Sequence, residues 1–236
     1  NTSEAQYLTG FNERTKGSGY YTTRLNKPVA PKALLAGNFK LAALAKAKDA
    51  NAVIYTQETY EQYPDIQLSN LSFKKSIRLT DGIRQQDSII WGTAELTSWI
   101  SLDGRPLEGV IYKPADFDPN KKYPVMIYFY EKHSDELYQY FPPAPSRSII
   151  NIPFYCSRGY IVFTPDIQYT TGHPGESAYN SIVSGAEELA KNTWVDKANM
   201  AIQGQSWGGY QTAYLITRTN MFKAAGAGAP VSNMFS

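Results

Sequence analysis

Residues 199–212 read Asn-Met-Ala-Ile-Gln-Gly-Gln-Ser-Trp-Gly-Gly-Tyr-Gln-Thr, and this stretch decides how the second half of the chain folds. The apolar run at 200–202 predicts a buried strand, and helical spacing then continues to Arg218. Between them stands Gly-Gln-Ser-Trp-Gly at 204–208, which is G-x-S-x-G in a strand–turn–helix context. A chance Gly-Ser-Gly turn is the alternative, but the flanking strand and helix favour an exposed nucleophilic serine at a strand-to-helix turn.

Ser206 is the candidate nucleophile of this turn. A serine at the tip of so tight a turn sits in strained backbone. A Cβ two positions before or after it would collide with the neighbouring strand or helix, which explains Gly204 and Gly208. The helix that begins past Ser206 points its free N–H groups and positive dipole end at the serine oxygen, so an oxyanion formed there would be stabilised.

The composition of the 236-residue chain is balanced, with 42% hydrophobic residues and a net charge of +2 from 23 basic and 21 acidic side chains. This apolar content supports a real core, and the lack of a concentrated basic block argues against nucleic acid as the main partner. No run of 18 apolar residues exists, so no membrane span is predicted. The first residues, Asn-Thr-Ser-Glu-Ala, lack an initiator Met and a signal-peptide pattern, so processing or truncation is expected.

The sequence predicts no disulfide, no metal and no cofactor. Cys156 is the single cysteine, and its aromatic and apolar neighbours favour a buried thiol. No group of His, Cys, Asp and Glu residues has metal-ligand spacing. The Gly-Ala-Gly-Ala stretch at 226–229 lacks the third glycine and the helix start of a dinucleotide fingerprint, so nucleotide binding is not expected.

The chain divides into two segments of different character, 1–90 and 91–236. The first contains short strands rich in Tyr, Thr and β-branched residues, for example at 19–25 and 52–57. Such strands are typical of part of a sandwich, a barrel or a propeller. The stretch 39–47 has the Ala, Leu and Lys composition of a helix, and a strand with a turn is the alternative.

The second segment alternates strands and helices. A hairpin is predicted at 94–112, and continuous apolar runs predict buried strands at 123–130 and 159–166. Helices are expected at 179–191 and at 149–157, the latter interrupted by its proline. This alternation is typical of a parallel sheet covered by helices on both faces, so the second segment is predicted to be α/β.

A serine nucleophile needs a base to take its proton and an acid to orient that base. In α/β-hydrolases these groups follow the serine in the order Asp or Glu, then His. No Asp, Glu or His follows Ser206 up to residue 236, so the triad Asp and His are expected in sequence beyond residue 236. The two histidines, His133 and His173, lie upstream, and a solvated loop position is favoured over a catalytic role for His173.

Tyr130 stands at the end of the predicted strand 123–130, before the loop where hydrolases place their second oxyanion donor. Its phenol can donate a hydrogen bond to a tetrahedral oxyanion, and the backbone N–H of Trp207 is the predicted partner donor. A structural tyrosine that caps the strand is the rival interpretation.

Four stretches share a pattern with a known family. They are Gly-Gln-Ser-Trp-Gly-Gly-Tyr-Gln at 204–211, Ala-Gly-Ala-Pro-Val-Ser at 227–232, Tyr-Phe-Tyr-Glu-Lys-His-Ser-Asp at 128–135, and Pro-Asp-Ile-Gln-Tyr at 165–169 before Gly-His-Pro-Gly-Glu. Together they resemble the prolyl oligopeptidase family of serine peptidases, and within it bacterial members related to dipeptidyl peptidases and acylaminoacyl peptidases. The resemblance extends from about residue 96 to the end of the chain and is weak before it.

The resemblance implies an α/β-hydrolase fold that is incomplete in this chain and follows a β-propeller. Segment 1–90 would be the last part of the propeller, and segment 91–236 the N-terminal part of the catalytic domain. Where many members carry Gly-Gly-Pro after the oxyanion tyrosine, this chain has Glu-Lys-His at 131–133. The paired glutamates that hold a free N-terminus in dipeptidyl peptidases would lie elsewhere in the propeller, so exopeptidase and oligopeptidase action both stay open.

The resemblance also implies roles for individual residues. Ser206 would be the nucleophile, and Tyr130 and the Trp207 amide would be the oxyanion donors. Trp207 and Val231 would be walls of the substrate pocket, and Met234 stands near where dipeptidyl peptidases carry an aromatic residue.

The resulting hypothesis is a serine peptidase that hydrolyses short peptides through an acyl-enzyme on Ser206. A carboxylic-ester hydrolase of the same fold and a non-catalytic, hydrolase-like interaction module are the alternatives. The expected partner is a peptide substrate, and the sequence leaves homo-oligomer formation and the residue preferred at the scissile bond open. A periplasmic or secreted location is favoured over a cytoplasmic one.

Overall fold

The computed structural model describes residues 3–87, 89–146 and 149–233. The chain separates into two compact units: one extends up to Ile90 and includes 138–140, and the other comprises the residues from Trp91 onward apart from those three. Within the described ranges, no helix has the length and apolar character needed to cross a membrane.

The first unit is made of antiparallel strands. They are β1 (Gln6–Phe11), β2 (Ser18–Thr23), β3 (Lys32–Gly37), β4 (Lys40–Lys46), β5 (Val53–Thr59), β6 (Gln62–Ser69) and β7 (Ser76–Arg78). The order is β1-β2-β3 in a three-stranded sheet and β4-β5-β6-β7 in a four-stranded one. The strands expected at 19–25 and 52–57 are confirmed as β2 and β5, while β1 and β3 were not anticipated. A β-propeller stays a prediction for this segment.

Aromatic rings form the core of the first unit. Tyr20 packs against Tyr55 and Phe73 with ring centroids 5.8 and 5.2 Å apart, and all three rings are buried. Such pairs add to the free energy that burial alone supplies. The helical interpretation of 39–47 is wrong, because β4 pairs with β5 over most of that stretch. Its register shifts around Ala43, whose φ is +52°, so this bulged strand overrides the helix-forming composition.

The second unit is a six-stranded mixed sheet with helices. Its elements are β8 (Thr93–Ile100), β9 (Pro106–Lys113), β10 (Tyr123–Tyr128), α1 (Ile152–Cys156), β11 (Ile161–Pro165), α2 (Pro174–Leu189), β12 (Val195–Gln205), α3 (Trp207–Ile216) and β13 (Ala224–Gly228). The strand order is β13-β12-β10-β11-β9-β8. Strands β10 to β13 are parallel, and the hairpin β8–β9 adds to β11 in the antiparallel direction. The predicted α/β class is therefore confirmed, with an antiparallel edge on the parallel sheet.

The central strands are buried runs of apolar residues. Val125, Ile127, Ile161, Val162 and Phe163 are fully inaccessible to solvent, as expected for parallel strands in the middle of a sheet. Helix α2 covers this core with an apolar face, and it also contacts α3. The parallel strands bring their carboxyl ends to one edge, where the turn at Ser206 and the loop after β10 both begin.

Two helix boundaries differ from the sequence-based expectation. Pro153 lies in the first turn of α1, where its missing N–H costs no hydrogen bond, so it begins the helix instead of interrupting it. The Asn151 side chain caps that turn by accepting from the Phe154 N–H at 2.8 Å. Helix α2 begins five residues earlier than predicted, at Pro174, for the same reason.

Candidate active site

Ser206 lies between the end of β12 and the start of α3, and its backbone is strained. Its φ is +57° and its ψ is −110°, a region that residues with a side chain rarely occupy and that costs on the order of 1–3 kcal/mol. Neighbouring backbone holds it there: the Ser206 N–H donates to Gly228 O at 2.8 Å, and Val231 N–H donates to Ser206 O at 3.4 Å. The residue is half-buried. The geometry is that of a sharp strand-to-helix turn with the serine at its tip.

Two glycines permit this turn by allowing close backbone approach. A Cβ on Gly204 would stand 2.3 Å from the carbonyl oxygen of Gly208, far inside van der Waals contact. A Cβ on Gly208 would stand 2.6 Å from the carbonyl oxygen of Phe129. The same position is 3.7 Å from Cδ2 of Tyr130, so the Tyr130 ring lies beside the first turn of α3. The motif glycines are therefore explained by contacts with the turn and with the chain that follows β10.

Tyr130 lies two residues beyond the end of β10, which stops at Tyr128, and it is 40% exposed. Its carbonyl oxygen accepts hydrogen bonds from the Tyr169 hydroxyl at 2.7 Å and from Gln211 Nε2 at 3.4 Å. Packing does not hold the side chain on all sides, so its position depends on how its backbone is fixed. A donor to an oxyanion beside Ser206 needs such a fixed position.

The Tyr169 hydroxyl joins the chain after β10 to helix α3. Besides donating to Tyr130 O, it accepts a short hydrogen bond from Gln211 Nε2. Burial raises the pKa of Tyr169 to about 12, although the hydrogen bonds from Gln211 and Trp207 oppose that rise. The hydroxyl therefore keeps its proton at neutral pH and acts as a donor, not as a base.

Asp166 organises the loop after Tyr130. Its Oδ1 accepts from the backbone N–H groups of His133 at 2.6 Å and Ser134 at 2.7 Å. Next to it, the Ile167 N–H donates to the Glu131 carbonyl at 2.7 Å. Burial raises the pKa of the Asp166 carboxyl, and the hydrogen bonds from Ser134 and His133 oppose the rise. The segment after β11 thus ties down the segment after β10.

Neither histidine is bonded to the candidate nucleophile. His133 Nδ1 lies 2.8 Å from Glu136 Oε2 and its side chain is largely buried. The side chain of His173 is 64% exposed and lies 3.5 Å from Glu176, at the start of α2. Within the described part of the chain, no hydrogen bond links either imidazole to Ser206. The solvated position expected for His173 is confirmed.

The remaining predicted site residues are located as follows. Trp207 is the first residue of α3, half-buried, with its ring 5.3 Å from that of Tyr210. Val231 is half-buried and joined to Ser206 through the backbone. Met234 lies outside the described residues. Among the residues that are described, no three His, Cys, Asp or Glu side chains are grouped as metal ligands.

Asp166, Tyr169 and Gln211 had no role in the sequence-based site. Asp166 directly follows β11 and Tyr169 lies four residues beyond its end, and β11 is the parallel neighbour of β10. Because parallel neighbours end at the same edge of a sheet, polar residues after both strands could have been expected to meet. Gln211 lies on the first turns of α3, where nothing in the sequence distinguishes a buried glutamine from a solvated one.

Known proteins share sequence with the second half of the chain. The model of the prolyl oligopeptidase family matches residues 145–236. Mouse dipeptidyl peptidase 8 is 31% identical over 153 residues, which make up 58% of this chain and 17% of the mouse protein. A probable dipeptidyl-aminopeptidase B of Talaromyces marneffei is 33% identical over 134 residues, or 50% of this chain and 14% of that protein. The chain thus spans less than a fifth of the length of these curated relatives.

Solved structures share the fold over nearly the whole chain. Porphyromonas gingivalis dipeptidyl peptidase 4 superposes with a TM-score of 0.73 at 21% identity, covering 98% of this chain and 34% of that one. Pyrococcus horikoshii acylaminoacyl peptidase gives a TM-score of 0.67 at 18% identity, covering 94% and 36%. At such identities the structures indicate the fold alone, which is an α/β-hydrolase unit with a β-rich region. On its sequence, the chain is similar to the prolyl oligopeptidase family of serine peptidases, whose model matches residues 145–236.

Proposed function

We propose that this chain carries the nucleophile and oxyanion donors of a serine peptidase that hydrolyses short peptides through an acyl-enzyme on Ser206. The observation that carries the proposal is the backbone of Ser206, with φ +57° and ψ −110° at a strand-to-helix turn. Strain of this size persists only where the surroundings enforce it, and it clusters at functional sites. The sequence relatives named dipeptidyl peptidase and dipeptidyl-aminopeptidase support peptides as the substrate class.

In the proposed reaction, Ser206 Oγ attacks the carbonyl carbon of the scissile peptide while a base removes its proton. The tetrahedral intermediate collapses when the leaving amine takes that proton, and the acyl group stays on Ser206. Water then attacks the ester with the same base, which releases the acid product and restores the hydroxyl. We propose that the base and its orienting acid are a His and an Asp in sequence beyond residue 236.

Negative charge on the carbonyl oxygen would be stabilised by two neutral donors, the Trp207 backbone N–H and the Tyr130 phenol. The first belongs to the N-terminus of α3, whose free N–H groups and dipole favour an anion. The position of the Tyr130 ring beside Gly208 supports the second. One such donor is worth about 10²–10³-fold in rate. Trp207 and Val231 would then line the pocket next to the scissile bond, together with Met234.

For the domains, we propose that segment 1–90 is the last part of a β-propeller and segment 91–236 the N-terminal part of the catalytic domain. The two antiparallel sheets of the first unit support a blade-like origin, since a propeller repeats small antiparallel sheets.

A fluorophosphonate probe tests the proposal on the full-length protein. We expect one adduct, which mass spectrometry maps to Ser206, and loss of both adduct and peptide hydrolysis in Ser206→Ala. Ser157→Ala is the matched control, because Ser157 is exposed at the end of α1 and its loss should leave labelling unchanged. Failure of the wild-type protein to label would instead favour a non-catalytic interaction module.

The substrate class is tested by comparing peptide amides with simple carboxylic esters on the same preparation. A serine peptidase that hydrolyses amides is expected to hydrolyse simple esters as well, because an ester has a better leaving group than an amide. Cleavage of esters alone would overturn the peptidase assignment in favour of an ester hydrolase of the same fold.

A further inference from the structure

We propose that the Tyr169 hydroxyl is a positioning group that fixes the predicted oxyanion donor Tyr130, through its carbonyl, relative to helix α3, through Gln211. This inference rests on the proposed function and names a residue outside the motif. Tyr169 itself touches no reacting atom in this proposal, and it acts through Tyr130, whose phenol would contact the oxyanion.

The hydrogen-bonding capacity of a phenol accounts for this arrangement. A phenol has one proton to donate and oxygen lone pairs with which to accept. The proton of Tyr169 is directed to the Tyr130 carbonyl at 2.7 Å, and the oxygen accepts from Gln211. The hydroxyl therefore links the loop after β10 to the first turns of α3. Since α3 begins at the candidate nucleophile, the link sets the distance between nucleophile and oxyanion donor.

Gln211 supplies a second, independent indication. Its side chain is completely buried, yet its Oε1 has no hydrogen-bond partner among the described residues. Burying an unsatisfied amide oxygen destabilises a fold, so a core position of this kind would be better filled by an apolar residue. The amide nitrogen points at both Tyr169 and Tyr130 O. We attribute the presence of glutamine here to that contact.

The exposure of Tyr130 explains why a backbone anchor matters. With 40% of its surface accessible, the Tyr130 side chain is not held by packing on all sides. Its phenol can be preorganised only if the main chain that carries it is fixed, and an oxyanion donor is effective only when preorganised. The anchor at the Tyr130 carbonyl therefore acts on the transition state, where the oxyanion exists, and not on the bound substrate.

Tyr169→Phe in the full-length protein tests the inference, with Tyr179→Phe as the matched control. Both tyrosines pack against the core of the second unit, but no hydrogen bond of the Tyr179 hydroxyl is found within the described residues. We expect Tyr169→Phe to lower kcat roughly tenfold per active site with KM unchanged, since small misplacement of a donor costs rate. Active sites are counted by fluorophosphonate titration, so loss of folded protein does not imitate a loss of kcat. Equal kcat in the two variants would overturn the inference.

Gln211→Met separates positioning from stability. Methionine keeps the volume and removes the unsatisfied oxygen, so we expect an unchanged or higher Tm together with a lower kcat. A merely structural role predicts that Tm and activity fall together, and that result would count against the inference. If the wild-type protein itself neither labels nor hydrolyses peptides, the proposed function has failed. If it does both and Tyr169→Phe behaves as the control, only the positioning role has failed.

Discussion

Gly204→Ala places one methyl group where the turn at the candidate nucleophile has no room. The added Cβ would stand 2.3 Å from the Gly208 carbonyl oxygen and 2.4 Å from its carbonyl carbon. Both atoms are backbone, so no side-chain rotation relieves the contact. Cβ atoms do not approach closer than 3.0 Å, so strand β12 and helix α3 must move apart by about 0.7 Å, from 2.3 to 3.0 Å.

That displacement sets the expected magnitudes. Overpacking of this kind costs about 1–3 kcal/mol of unfolding free energy, and each kcal/mol lowers the Tm of a chain this size by about 2–4 °C. The effect on activity should be larger. A shift approaching 1 Å between the proposed nucleophile and the proposed oxyanion donors costs up to about 10²-fold, so we expect kcat/KM to fall by roughly 10- to 100-fold.

Gly226→Ala is the matched control, because Gly226 is in the neighbouring strand β13 and the three atoms nearest to a Cβ there all belong to the side chain of Gln203, at 3.3 to 3.7 Å. We expect a change in unfolding free energy below about 0.5 kcal/mol and unchanged activity. The two variants are compared by calorimetry and by peptide hydrolysis per titrated active site. Wild-type activity and Tm in Gly204→Ala would refute the reasoning, since the turn would then have room for a side chain.

Two further predictions concern stability. Burial alone would raise the pKa of Asp65, but hydrogen bonds from Thr80 at 2.6 Å and from the Gly82 N–H at 2.7 Å outweigh it and hold that pKa below its usual value. The Asp65 carboxylate therefore contributes to the free energy of unfolding above the unfolded pKa of about 3.9, and this contribution is lost as pH falls through the lower folded pKa. We expect Asp65→Asn to flatten the dependence of Tm on acid pH. An unaltered profile of Tm against pH would contradict the prediction. Trp99→Phe should lower the free energy of unfolding by about 1–3 kcal/mol, because it removes the buried indole and its hydrogen bond to Ser184 Oγ at 3.0 Å. Denaturant titration measures the free energy of unfolding, and an unshifted midpoint would rule the prediction out.

The parts of the fold that could be read from sequence are those in which local pattern and tertiary environment agree. Continuous apolar runs predicted the central strands β10 and β11, since strands buried on both faces tolerate little else. The sequence pattern gave the wrong element where strand pairing outweighed the helix-forming composition of a segment. The stretch 39–47 has good helix formers, but it is a strand because β5 offers its backbone a partner.

The sequence by itself predicted the candidate nucleophile and its turn, because the G-x-S-x-G pattern places glycines where a Cβ would collide with neighbouring backbone at positions 204 and 208. Only the tertiary structure decided what surrounds that turn. Tyr169 and Gln211 reach the Tyr130 carbonyl because β10 and β11 are parallel neighbours and α3 packs beside them, although 39 and 81 residues separate the bonded pairs. Contacts of that range depend on how the strands are ordered in the sheet, and no periodicity along the chain encodes this order.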